Sequence, residues 1–254
     1  MRMAGAGLAE YPGSPGELAE VRLADLAWNR LTSLPGWVGE LAALRELRLD
    51  GNLLSDVPRL PDGLRGLHLD GNQLTKFPDL PSGLERLFLY GNLLESVPER
   101  LPYGLKELAV GGNRLTRIPA GWWDLSELES LNVAENQLTH LPAGIGRLRR
   151  LRMLDLGHNR LDAIPAELGD LELTDYLYLS DNGFAEVPAE LGRLDRLRYL
   201  NLTDNRLTTL PVSLGRMAAL VELRLYNNGL ETLPDSFANL GSLRELHVQG
   251  NRLT

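Results

Sequence analysis

Apolar positions along this chain keep a fixed phase with asparagine. Asn stands at 29, 52, 72, 92, 113, 136, 159, 182, 205, 228 and 251, so the steps are 23, 20, 20, 21 and then 23 six times. Leucine or another apolar residue lies eight, five and three places before most of these asparagines, and two and five places after them. Proline follows six residues after the Asn at 35, 58, 78, 98, 119, 142, 165, 188, 211 and 234. The Leu-x-Leu pair has period two, which predicts a short strand with both leucines on one face. One strand and one loop cannot bury that face, so the copies must stack. A degenerate earlier copy is visible, because Leu8 and Pro12 precede Leu31 and Pro35 by 23 and Ala6 takes the Asn slot.

Each Asn follows its strand at a buried turn. A carboxamide both donates and accepts, so the row of Asn predicts a ladder that satisfies backbone groups out of reach of water. That role is structural and needs no chemistry. The proline ends the ascending turn and stiffens the outer segment. The outer segments come in two kinds. Copies of 23 residues, such as Pro165-Ala166-Glu167-Leu168-Gly169-Asp170-Leu171, have room for a helical turn. Residues 58–105 carry a second proline instead, as in Pro78-Asp79-Leu80-Pro81, which favours an extended run.

The pattern LxxLxLxxNxLxxLPxxLxxL resembles that of the leucine-rich repeat family over nearly the whole chain. The resemblance implies an α/β solenoid: a leucine-rich repeat horseshoe with a parallel concave β-sheet and short helical, 3₁₀ or extended convex segments. We expect a single domain over 1–254, with 1–20 as a degenerate N-terminal repeat or cap, about eleven repeats phased on Asn29 to Asn251, and no evident C-terminal cap. The double-proline copies are similar to those of secreted bacterial effectors, some of which carry a ubiquitin-ligase domain. That ligase needs a cysteine, and this chain has none. The 23-residue copies look like those of many bacterial and eukaryotic scaffold proteins. Thr254 falls in mid-repeat, which fits either a cut from a longer protein or an end protected by a partner or by self-association.

Composition sharpens this picture. Leucine accounts for 59 of 254 residues, as a repeated apolar slot requires. The net charge of −8 argues against a nucleic-acid partner, since neutralising phosphates takes a basic surface. No apolar run approaches the ~18 residues needed to cross a bilayer, so no membrane partner is expected. Met1 to Glu10 has no apolar core of signal-peptide length; the cytoplasm is the default compartment, with secretion lacking a cleaved signal left open. The four histidines, His68, His140, His158 and His247, have no metal-ligand partner at i+3 or i+4, which predicts no metal site. No glycine-rich loop ends in Gly-Lys-Ser/Thr, so no phosphate cradle or nucleotide cofactor is indicated. We find no catalytic constellation.

What remains is the inner surface, formed by the residues six, four, two and one before each Asn. Five of the seven tyrosines fall there: Tyr90, Tyr176, Tyr178, Tyr199 and Tyr226, with Phe88 beside Tyr90. The other phenylalanines, Phe77, Phe184 and Phe237, occupy leucine slots and should be buried. Tyr176, Tyr178, Tyr199 and Tyr226 lie in three adjacent repeats, on strands about 4.8 Å apart. Arg224 sits among them, and Asp155, Asp181 and Asp204 flank them, although an acid before the turn Asn also serves as a turn former. Tyrosine is a good strand former on any exposed sheet. Large amphipathic rings on a rigid face are also a hot-spot composition. The expected function is protein–protein interaction through the concave face, with a partner that presents a basic patch, and no enzymatic activity. The alternative is the recognition segment of a larger effector or signalling enzyme whose catalytic part lies outside this chain.

Overall fold

A computed structural model describes residues 1–254, which form two compact units, Met1–Leu115 and Thr116–Thr254. Every repeat contributes one three-residue strand whose middle residue is buried, except the last, where Leu246 is 38% exposed. In the first unit these are β1 (Leu23–Asp25), β2 (Glu46–Arg48), β3 (Gly66–His68), β4 (Arg86–Phe88) and β5 (Glu107–Ala109). In the second they are β6 (Ser130–Asn132), β7 (Met153–Asp155), β8 (Tyr176–Tyr178), β9 (Tyr199–Asn201), β10 (Glu222–Arg224) and β11 (Glu245–His247). Within each unit the strands lie in chain order, each parallel to the next. The register pairs like slot with like slot, for example Met153↔Tyr176↔Tyr199↔Glu222↔Glu245.

The leucines supply the interior. Leu47, Leu67, Leu87, Leu154, Leu177, Leu200 and Leu223 are fully buried at the strand centres. The outer segments divide by length as the prolines require. Seven 3₁₀ turns occur, at Gly36–Glu40, Ala120–Asp124, Ala143–Arg147, Ala166–Asp170, Ala189–Arg193, Val212–Arg216 and Asp235–Asn239. Each is preceded by a proline in extended geometry, with φ between −60° and −70°. The proline residues at 58–102 start no 3₁₀ helix; the second proline of each copy, Pro61, Pro81 and Pro102, instead opens a single turn closed by the amide three residues on, at 3.1 Å. Phe184 is fully buried in its leucine slot. Phe77 and Phe237 are only half-buried, contrary to expectation. Phe77 lines an open hollow with Pro78, Pro98 and Tyr103, where the thin extended segments leave room. Phe237 lies in the last 3₁₀ turn, which packs on the turn at Val212–Arg216.

The asparagine ladder joins the stacked copies. Asn52 donates through Nδ2 to Leu49 O of its own repeat (2.9 Å) and to Leu26 O of the preceding one (3.0 Å). Its Oδ1 accepts from the Leu31 amide at 3.0 Å. Asn205 repeats the scheme with Leu202 O, Leu179 O and the Phe184 amide, at 3.0, 3.0 and 3.2 Å. The scheme reaches the N-terminal segment as well: the Leu8 amide donates to Asn29 Oδ1 at 2.9 Å, and Arg2 bridges Asp25 in parallel. The residue before each ladder Asn is left-handed. Glycine meets this at 51, 71, 91, 112 and 250, while Trp28, Glu135, His158, Asp181, Asp204 and Asn227 have φ between 50° and 58°. Asp and Asn tolerate this region better than most side chains.

Asn205→Ala would strip partners from three buried backbone groups, each worth roughly 1–3 kcal/mol when left unmatched. We expect a loss of about 3 kcal/mol in urea unfolding. A loss below about 1 kcal/mol, within the range of ordinary surface changes, would show that the ladder carries little of the stability.

Candidate functional site

The strand residues that flank each buried leucine face away from the core. On the second unit they bring three tyrosines together. Tyr176 and Tyr178 come from β8, Tyr199 from β9. Their rings lie 4.8 Å (Tyr176–Tyr178) and 5.0 Å (Tyr178–Tyr199) apart at tilts of 51° and 53°. The Arg224 guanidinium stands 5.3 Å over the Tyr199 ring, within cation–π range. Its Nε also donates to Glu222 Oε1 at 2.6 Å. All three rings are half-buried, since each covers part of the next. Burial, then the nearby Tyr178 phenol, raises the Tyr199 pKa against the opposing pull of Arg224. Burial likewise raises that of Tyr176. Both phenols are therefore neutral at physiological pH and available as donors or acceptors.

Tyr226 takes a different neighbour. Its ring sits 5.1 Å from that of His247, and its hydroxyl and His247 Nδ1 are hydrogen-bonded at 2.6 Å. The three acids hold turns. Asp155 Oδ1 accepts from the Gly157 amide at 3.0 Å, and burial raises its pKa despite that bond. Asp181 and Asp204 occupy the left-handed position. His158 Nδ1 donates to Asp181 at 2.7 Å, and Asn227 Nδ2 donates to Asp204 at 2.8 Å. A separate hollow of about 910 Å³ on this unit is lined by Arg152, Asp175, Arg198 and Arg244, which precede the strands, and by none of the tyrosines.

The first unit carries a polar cluster that sequence reasoning did not single out. Glu46 is buried yet ionisable, and it accepts from Arg86 Nη2 at 2.6 Å, from His68 Nε2 at 2.7 Å and from Arg48 Nη2 at 3.4 Å. Burial alone would raise its pKa, but the hydrogen bonds of Arg86 and His68 outweigh burial and hold it below the ordinary range. Gly66 makes the link possible. It lies between Glu46 and Arg86 in register, and a Cβ there would occupy the space of Glu46 Oε2 and crowd Arg86 Nη2. Phe88 stacks on His68 at 4.6 Å and 19°. Tyr90 donates its amide to Asp70 Oδ1 at 2.7 Å, and the Asp70 amide donates to Asp50 Oδ1 at 3.1 Å. The signal for Glu46–His68–Arg86 was present as unlike charges in one slot two repeats apart, with glycine in that slot of the repeat between them and His68 in the neighbouring row.

A solenoid of parallel strands, buried leucines and an asparagine ladder defines a class of protein. The family description "Leucine rich repeat" matches residues 103–161, 126–184, 172–230 and 195–253. The chain belongs to the leucine-rich repeat family. It is similar to a leucine-rich repeat protein of Leptospira interrogans at 28% identity and a TM-score of 0.75, covering 98% of this chain and 77% of that one. It is also similar to the ectodomain of a membrane receptor kinase of Arabidopsis thaliana, solved in complex with Casparian strip integrity factor 2. There the identity is 30% and the TM-score 0.74, over 95% of this chain and 34% of that one. An internalin of Listeria monocytogenes shares the fold at 23% identity and a TM-score of 0.81, over 94% and 71%. This chain therefore spans about a third of the plant ectodomain's length. No curated protein matches the sequence. No helix is long and apolar enough to cross a membrane.

Asp70 offers a test of the first unit. Burial, countered by the Tyr90 amide, pushes its pKa from 3.8 up to about 6. Between those values the folded protein holds more proton than the unfolded chain, so this group's contribution to stability falls as pH rises. Asp70→Asn should remove that component. The unfolding midpoint of the variant, relative to the parent, should rise between pH 4 and pH 7; parallel curves would refute the assignment.

Proposed function

We propose that this chain is a protein-recognition module that binds a protein partner on the open strand face of its second unit, centred on Tyr176, Tyr178 and Tyr199. One observation carries the reading: three large amphipathic side chains from two adjacent strands touch one another, remain partly exposed, and are backed by Arg224. Rigid aromatic clusters of this kind contribute area at low entropy cost and are typical of interface hot spots. Leucine-rich repeat proteins generally serve as interaction modules, and the Arabidopsis ectodomain was solved with a bound partner. In this reading the chain binds its partner without turning anything over. Asp155 stands beside Tyr178 in register, and Asp181 and Asp204 lie at the turns that follow β8 and β9. They favour a partner with Lys or Arg at the rim, so affinity should fall as salt rises. Phe88 and Tyr90, on the first unit, offer a second aromatic surface for contact.

The test is a partner captured with the parent protein and identified by mass spectrometry, followed by binding titrations. Tyr178→Ala and Tyr199→Ala should each weaken that partner by roughly 2 kcal/mol while changing stability by about 0.5 kcal/mol. Leu177→Ala, a core control, should cost roughly 2–5 kcal/mol of stability through its cavity. Unchanged affinity in both tyrosine variants would move the contact to the Phe88–Tyr90 surface or the convex side.

A further inference from the structure

On the last two strands of the second unit, three metal-ligating side chains converge. The parallel register places Glu222 directly beside Glu245, and Arg224 beside His247. His247 Nε2 lies 3.3 Å from Glu245 Oε2 and 3.6 Å from Glu222 Oε1. One ligand atom from each of the three lies within 4.8 Å of the others. A four-coordinate ion with bonds of about 2.0–2.1 Å holds its donors about 3.3 Å apart. The present spacing is thus within a small side-chain adjustment of a closed ligand set.

We propose that Glu222, Glu245 and His247 bind one divalent transition-metal cation of the zinc class. Three further features support it. Two glutamates directly side by side on neighbouring strands repel one another, and the Arg224 guanidinium offsets the charge of Glu222 only. The two half-buried ligands, Glu222 and His247, also have outer partners of the kind that metal ligands require. Arg224 Nε donates to Glu222 Oε1 at 2.6 Å, which fixes the carboxylate and leaves Oε2 as the oxygen that would take the ion. The Tyr226 hydroxyl meets His247 Nδ1 at 2.6 Å, and when Nδ1–H donates to the phenol oxygen, the Nε2 lone pair faces the two carboxylates. The exposures are graded as well: the side chains of Glu222 and His247 are 18% and 25% exposed, while that of Glu245 is 60% exposed and leaves the site open to solvent. One imidazole with two carboxylates suits zinc, cobalt or nickel; magnesium and calcium prefer all-oxygen shells. Three protein ligands leave a fourth position for water or for a side chain of another protein.

The site escaped the search for histidine spacings because Glu222 stands 23 residues before Glu245 and 25 before His247, in the preceding turn of the solenoid. It stands independently of the tyrosine reading.

The experiment uses the full chain, stripped with chelator and dialysed. Titration with Co²⁺ should give the visible absorption of a tetrahedral centre, saturating at one ion per chain, and calorimetry with Zn²⁺ should give the same stoichiometry. His247→Ala and Glu222→Gln should each abolish saturation or weaken it at least tenfold. Tyr226→Phe, which keeps all ligands but removes the orienting hydrogen bond, should weaken it roughly 10–100-fold. Glu245→Gln alters an exposed side chain and so reads the site without endangering the fold; it should weaken binding too. His158→Ala should bind like the parent. No saturable binding, or binding that His247→Ala and Glu245→Gln leave unchanged, overturns the proposal and leaves His247 as a hydrogen-bonded neighbour of the two carboxylates.

Discussion

A carboxamide out of reach of water, shared between one repeat and the next, is the interaction on which both units depend. Where a strand ends in a turn inside the stack, the backbone exposes donors and acceptors that the sheet no longer pairs. Asn52 and Asn205 satisfy three of them each, two of the three in the neighbouring copy. An apolar residue there would leave those groups orphaned, and a carboxylate could not donate. The ladder also fixes the turn, because the residue before each Asn must be left-handed for the amide to reach inward. Leucine burial supplies most of the driving force, but it is non-directional. The asparagines give the stack its step.

Much of this was legible in the chain. The phase of Asn29 to Asn251 located every strand, and the proline spacing separated the 3₁₀ copies from the extended ones. The reasons are local: period two for the strand, fixed φ for proline, turn chemistry for Asn. What the pattern concealed was lateral. Phe77 and Phe237 occupy leucine slots yet stay half-buried, because burial depends on what the adjacent outer segment provides. Tyr226 lies in the same class of slot as Tyr90 but pairs with His247. Asp181 and Asp204 take the left-handed turn position, and their side chains meet His158 and Asn227 one repeat away. In each case the deciding neighbour is about one repeat away.

The strand faces show how a solenoid turns sequence distance into contact. Slots six and four before the Asn form two rows, and within a unit any residue meets its equivalents in the copies on either side. Tyr176, Tyr178 and Tyr199 gather in that way, as do Glu46, His68 and Arg86. Such surfaces are composed one repeat at a time on a scaffold that hardly changes. Chemistry on them is accordingly read by row and not by motif.

Gly66 illustrates what this means for exchanging parts. Repeats of equal length look modular, and a designer would be tempted to replace β3 with a consensus copy bearing an ordinary side chain at that slot. The leucines, the Asn and the prolines would all be preserved. The carboxylate of Glu46, two strands away from Arg86, would nevertheless lose the vacant space through which they meet. A buried negative charge would then be left short of its principal counterion, a defect that no inspection of the grafted segment alone reveals. At this slot, interchangeability is a property of three repeats together, and an exchange that respects only single-copy boundaries displaces the Glu46–Arg86 pair.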